Sequence, residues 1–183
     1  MEKPLLSSAG RKDLGMGIRY YAYPVLADDI ELARQNPLDY MNNNPIVDDD
    51  DPDDDRLVLC LDKSWRYLQE LFVWPNQYPA EPCLDLVRGD VVYPNGWQEG
   101  YRCHYEVLEP EAVQRIADHI GEIDKVDVLA MFLAHYGCPS TGGDHRDSHL
   151  REDVAYVGYH LEQAKRFVAM VAAAGHGLVY RIG

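Results

Sequence analysis

Residues 59–72, Leu-Cys-Leu-Asp-Lys-Ser-Trp-Arg-Tyr-Leu-Gln-Glu-Leu-Phe, constrain the fold of this chain more than any other stretch. A short apolar run gives way at Asp62 to a helical pattern in which Trp65, Leu68 and Phe72 share one face. A strand that passes directly into an amphipathic helix has one economical solution. The apolar stripe of the helix must bury itself against the sheet to which the strand belongs. Asp62 suits the N-cap of that helix, since its carboxylate can accept the free N–H groups of the first turn. Trp65 then fills the space between helix and sheet as a core anchor.

The remaining elements follow from pattern and punctuation. Ile18 to Tyr23 has strand composition and ends at Pro24. Leu26, Ile30 and Ala33 fall at helical spacing with Asp28 or Asp29 near the start, and Asn36-Pro37 ends that helix. From Pro37 to Asp55 the chain is rich in Asn, Asp and Pro and reads as a solvated loop, followed by a buried strand over 56–61. Pro75, Pro79 and Pro82 interrupt structure, and residues 95–100 form a second turn-rich connection. Tyr101 to Leu108 alternates as a strand, with Arg102, His104 and Glu106 on its polar face. Glu109-Pro110 opens a helix whose stripe is Val113, Ile116, Ala117 and Ile120, with Gly121 at its C′ position. A helix over 126–136, a loop over 137–148, a long helix carrying Val154, Val157, Leu161, Ala164, Val168 and Val171, the closing Gly175 and a final strand over 177–182 complete the chain.

Strands and helices mix without βαβ alternation, which predicts an α+β fold. It should be a single domain, with a small, mainly antiparallel sheet packed against amphipathic helices. A length of 183 residues fits one such domain, assigned to 16–183, with 1–15 as a flexible extension ahead of Met16.

Charge narrows the partners. The net charge is −14, and the seven aspartates of 48–55 supply half of it. Such a field repels nucleic acid and anionic lipid and admits a basic protein partner. The aspartates are contiguous and interrupted by Pro52, unlike the spaced ligands of a calcium loop. No apolar run reaches the roughly 20 residues needed to cross a bilayer. The N-terminus lacks the apolar core of a secretory signal, which places the protein in the cytoplasm. Cys60, Cys83, Cys103 and Cys138 form no CxxC pair, so no disulfide framework is expected. Cys60 and Cys103 fall in strands as small buried hydrophobes.

Two groups of residues suggest chemistry. His135, Cys138, His145 and His149, with Asp144 and Asp147 among them, have residue types that bind zinc. Their spacing lacks the paired knuckles of a structural site, and no metal or cofactor is expected. Arg102, His104 and Glu106 on one strand face offer an acid–base pair in principle, with Tyr159 and His160 on the last helix. The chain has no GxSxG, P-loop, GxGxxG or HExxH motif. Trp74 and Trp97 lie in predicted loops, where exposed aromatics serve partner binding. The leading expectation is a non-enzymatic, protein-binding role, for example an immunity or antitoxin-like protein that masks a basic toxin. The alternative is a small-ligand enzyme working from the 101–108 strand face.

Three segments together resemble the DUF1877 family, also called YfbM-like. They are Met16-Gly17-Ile18 leading into an aromatic strand, the Leu61-Asp62-Lys63-Ser64-Trp65 passage, and the unit from Tyr101 through Leu108-Glu109-Pro110 to Val113. The long C-terminal helix, glycine turn and final apolar strand also match, so the resemblance spans about 16–183. The acidic loop at 48–55 and the loop around 137–149 depart from it. The resemblance implies a compact α+β fold of bacterial origin and carries no activity.

Overall fold

The last strand in the sequence lies inside the sheet, and the rest of the architecture follows from that position. A computed structural model describes residues 17–47, 57–74, 81–136 and 144–183. Its strands are β1 (Tyr20–Val25), β2 (Leu59–Asp62), β3 (His104–Leu108) and β4 (Gly177–Ile182), all antiparallel in the order β2-β1-β4-β3. The helices are α1 (Ile30–Gln35), α2 (Pro37–Asn42), α3 (Trp65–Phe72), α4 (Glu81–Leu84), α5 (Pro110–Ile120), α6 (Lys125–Tyr136) and α7 (Asp144–Ala173). The chain is a single small α+β domain, as its pattern predicts. The N-terminal extension, the aspartate run and Pro75 and Pro79 lie outside the described residues.

Leu178, Val179 and Tyr180 are consecutive and fully buried, which requires cover on both faces of β4. On one face Tyr20, Leu59, Leu61, Leu178, Tyr180 and Ile182 meet α3, α5 and α7 through Trp65, Leu68, Ile116, Leu161 and Val168. On the other, Val25, Val107 and Val179 pack against Ile30, Ala33, Tyr40 and Met41 of α1 and α2. The second layer corrects the expectation of a solvated loop after Pro37. Proline at the first helical position forfeits no helical hydrogen bond, so Asn36-Pro37 ends α1 and starts α2.

Several other boundaries move for physical reasons. β1 continues through Pro24 because its pairing with β2 stops at Ala22, so the missing N–H breaks no ladder bond. The Pro24 carbonyl accepts a hydrogen bond from Asn44 Nδ2 at 2.8 Å instead. Asp62 is not the N-cap of α3. It sits at φ +46°, a left-handed conformation that aspartate tolerates, and Ser64 precedes the helix without a side-chain cap. The Asp62 carboxylate accepts from the Tyr156 hydroxyl at 2.8 Å and pairs with Arg19 Nε at 3.2 Å. It therefore ties β2 to α7 and β1. Gly121 ends α5 at φ −62°, so no left-handed turn is used there, whereas Gly175 follows α7 at φ +67°. Helix α7 begins at Asp144, ten residues before the expected stripe. Cys60 is exposed rather than buried, since it points from edge strand β2 beyond the reach of α1 and α2; Cys103 is half-buried, and burial pushes the Cys83 thiol up to about 12. No helix among the described residues is long and apolar enough to cross a membrane.

Trp65 is 1% exposed and stands among the largest buried side chains. Trp65→Ala should cost about 3–5 kcal/mol in a denaturant titration, the usual penalty for emptying a large aromatic site. A midpoint equal to that of the parent would contradict this placement.

Two tyrosines of the sheet are buried with their rings stacked at 5.2 Å between centroids, Tyr20 and Tyr180. The Tyr20 hydroxyl donates to the Leu86 carbonyl and the Tyr180 hydroxyl to the Arg88 carbonyl, each at 2.7 Å. Burial pushes both phenols far above their ordinary value of 10, and burial with the Asp62 hydrogen bond pushes Tyr156 up to about 12. A phenol with a raised folded pKa stabilises the fold fully below its unfolded value and loses that contribution as pH rises through its folded value. Stability should therefore hold up to pH 10 and fall between pH 10 and 12. Denaturation midpoints measured across that window check this, and a flat profile would refute it.

Candidate functional site

The two tyrosine hydroxyls fix the backbone of residues 86–88 over the sheet, and Gln69 Nε2 extends the clamp by donating to the Val87 and Gly89 carbonyls. At Gly89 the backbone turns with φ +105° directly over the His104 ring. A Cβ there would lie 2.4 Å from His104 Nε2, so only glycine fits. Asp90 then pairs with Arg66 Nη2 at 3.2 Å, and Val91 buries its side chain in the core.

From that anchored stem the chain makes a loop. Val92 and Arg102 exchange two backbone hydrogen bonds, of 3.2 and 2.8 Å, which close its base. Gly96 at φ +95° and Gly100 at φ +90° bracket a 3-10 turn over Trp97–Glu99. Every residue from 92 to 102 is exposed, and Trp97 is 69% exposed. Val92, Tyr93 and Tyr101 join it as exposed large apolar side chains, with the Tyr93 and Tyr101 rings edge to face at 6.0 Å. The loop thus presents three aromatic rings on a stem that is pinned at both ends. Trp97 stands where the sequence reading expects it. Tyr93 and Tyr101 were missed, although Tyr93-Pro94-Asn95-Gly96 is turn chemistry, and an aromatic at the mouth of a turn is poorly placed to reach a core.

The other candidates do not converge. Trp74 is half-buried against the His135 ring at 5.2 Å, so it is not the exposed aromatic its sequence context suggested. His135 lies 3.7 Å from Glu70, and His149, on helix α7 rather than in a loop, lies 3.7 Å from Glu152 one turn away. Cys138 and the His145 side chain lie outside the described residues. Among the described residues no group of three His, Cys, Asp or Glu side chains is gathered to hold a metal ion.

On the strand face, β3 begins at His104, so Arg102 belongs to the loop base rather than to the strand. His104 Nε2 is 3.9 Å from Glu106 and enclosed without a hydrogen-bond partner, with its ring against Gly89 and 6.1 Å from Tyr180. His104 works here as packing beneath the loop stem. His160 is also buried, edge to face with Tyr156 and Tyr159, and burial lowers its pKa from 6.5; Tyr159 is exposed. Open cavities lie elsewhere among the described residues. One, of about 390 Å³, runs between β2 and α7 along Leu59, Phe167 and Met170, and one of about 500 Å³ lies between α6 and α7 along Leu129, Leu133 and Val154. Neither touches Arg102, His104 or Glu106.

Comparison with protein-family models, curated proteins and solved structures gives no match.

Gly89→Ala should destabilise the protein by about 1–3 kcal/mol through left-handed strain, with the His104 clash adding to it. Adding His104→Ala should return the steric part and leave the backbone part. Denaturant midpoints of the single and double variants test this, and a Gly89→Ala protein as stable as the parent would disprove it.

Proposed function

We propose that this protein is a non-enzymatic binding protein that docks a basic protein partner through the 92–102 loop, with Trp97 as the anchor. The observation that carries the reading is that Val92, Tyr93, Trp97 and Tyr101 are all exposed on one loop with a closed base. Exposed aromatics left singly need no explanation, but several on one pinned loop do. Tryptophan and tyrosine supply most of the energy at protein interfaces, and a loop already held in place loses little entropy on binding. The charge of −14 steers a basic partner and disfavours nucleic acid. Masking of a basic toxin in the cytoplasm is one concrete form of this role. Membership of the DUF1877 family is proposed on the three segments that resemble it, and it adds no activity. The alternative, an enzyme on the 101–108 face, draws less support because His104 Nε2 is enclosed.

The test is affinity capture from the native host, with the recovered protein then titrated against parent and Trp97→Ala. Trp97→Ala should melt like the parent and bind at least about 30-fold more weakly, as loss of a 2 kcal/mol hot spot requires. Binding should also weaken as salt rises. A partner that binds Trp97→Ala as tightly as the parent would overturn the docking assignment.

A further inference from the structure

Among the described residues, helices cover the outer face of the sheet at one end only. Helices α1 and α2 lie over Val25, Val107 and Val179. Beyond them the register sets Cys60, Tyr21, Arg181 and Tyr105 side by side in one row across all four strands. The Arg181 guanidinium lies 5.7 Å from the centre of the Tyr21 ring, and Tyr105 is its cross-strand neighbour on the other side. Arg19, two residues before Tyr21, pairs with Asp62.

Arg181 differs from every other arginine whose side chain is described. The others, Arg19, Arg34 and Arg66 among them, are exposed, whereas Arg181 is half-buried. Those three are ion-paired, and no carboxylate among the described residues lies within ion-pair distance of Arg181. Its Nε donor is enclosed and has no hydrogen-bond partner among the described residues, which leaves the Nη groups to meet a ligand. Among the described arginines of a chain with a charge of −14, the one most withdrawn from water is one that no described acid neutralises.

We propose that this open end of the sheet binds a small molecule through a single oxyanion group, phosphate or carboxylate, received by Arg181 between Tyr21 and Tyr105. A partly desolvated charge is costly without a counter-charge, and one aromatic face offsets only a small part of that cost. An oxyanion supplies the missing charge and matches the planar fork of guanidinium donors. The tyrosine rings form the walls on either side of the guanidinium. The overall acidity sets the size of the ligand. A polyanion is repelled by the surrounding field, while one anionic group in contact with Arg181 is not. This site is independent of the 92–102 loop and does not rest on it.

The experiment follows the arginine Nε–Hε signals of the full chain by NMR while inorganic phosphate or acetate is added, against chloride at equal ionic strength. The Arg181 signal is assigned by its disappearance in Arg181→Lys. A saturable shift of that signal is expected with phosphate, acetate or both, and the stronger of the two identifies a phosphate or a carboxylate ligand. Arg181→Lys keeps the charge and loses the fork, so binding followed through the Tyr21 and Tyr105 ring signals should weaken roughly tenfold, the worth of one charge-assisted hydrogen bond. A shift no larger than that with chloride would overturn the proposal. So would saturation at the tyrosine rings that is unchanged in Arg181→Lys.

Discussion

Burial of β4 on both faces is the constraint on which the other elements depend. Tyr180 and Leu178 look toward α3, α5 and α7, while Val179 looks toward α1 and α2, so neither helical layer has a complete floor without this strand. Its partners β1 and β3 both come earlier in the sequence, and Tyr20 pairs with Ile182 almost at the far end of the chain. The central ladder therefore closes a loop of nearly the whole domain. Contacts so distant are expensive to form first, because the closure entropy precedes any reward from packing. Local units such as the β2–α3 passage are better placed to form early and wait for the C-terminal strand to join them.

The same strand reaches beyond the sheet. Tyr20 and Tyr180 carry their hydroxyls to the edge of the core, where each satisfies a backbone carbonyl of the 86–88 segment. A buried phenol needs a partner, and a segment without secondary structure needs its carbonyls paired, so one contact resolves both demands. Gly89 and Asp90 continue the tether, and the aromatic loop projects from it. Its rigidity is thus inherited from the core rather than generated by the loop itself.

What the sequence disclosed, and what it did not, divides along a physical line. Periodicity placed α5, the apolar stretch of α7 and the Trp65 passage, because in each case the pattern reports a face that is buried. It could not report α2, whose six residues carry a buried Tyr40 and Met41 too close together to show a period. Asp62 misled because an aspartate ahead of a helix satisfies the capping rule, and its role is set by Tyr156, 94 positions later, and by Arg19, just ahead of β1. Cys60 misled because an apolar run marks a strand as buried and says nothing of whether both of its faces are covered. The candidate site divides in the same way. Exposure of Trp97 was readable from its turn-rich surroundings, whereas the union of Tyr93 and Tyr101 with it depends on the bridge between Val92 and Arg102, a contact across the loop.

The cross-strand row of Tyr21, Arg181 and Tyr105 was the least readable feature, since it joins β1, β4 and β3 from three parts of the chain. Its significance does not fade because the protein is acidic overall. Exposed carboxylates act on a distant cation through water, and at physiological salt their influence decays within about 8 Å. They lower the potential around the molecule without replacing a hydrogen-bonded counter-ion at a half-buried guanidinium. Arg34, by contrast, has such partners in Glu31 and Glu109 and needs nothing further. The surplus of negative charge and the lack of a contact acid at Arg181 are therefore separate facts. The first governs which macromolecules approach the surface, and the second governs what a small site on the sheet can hold.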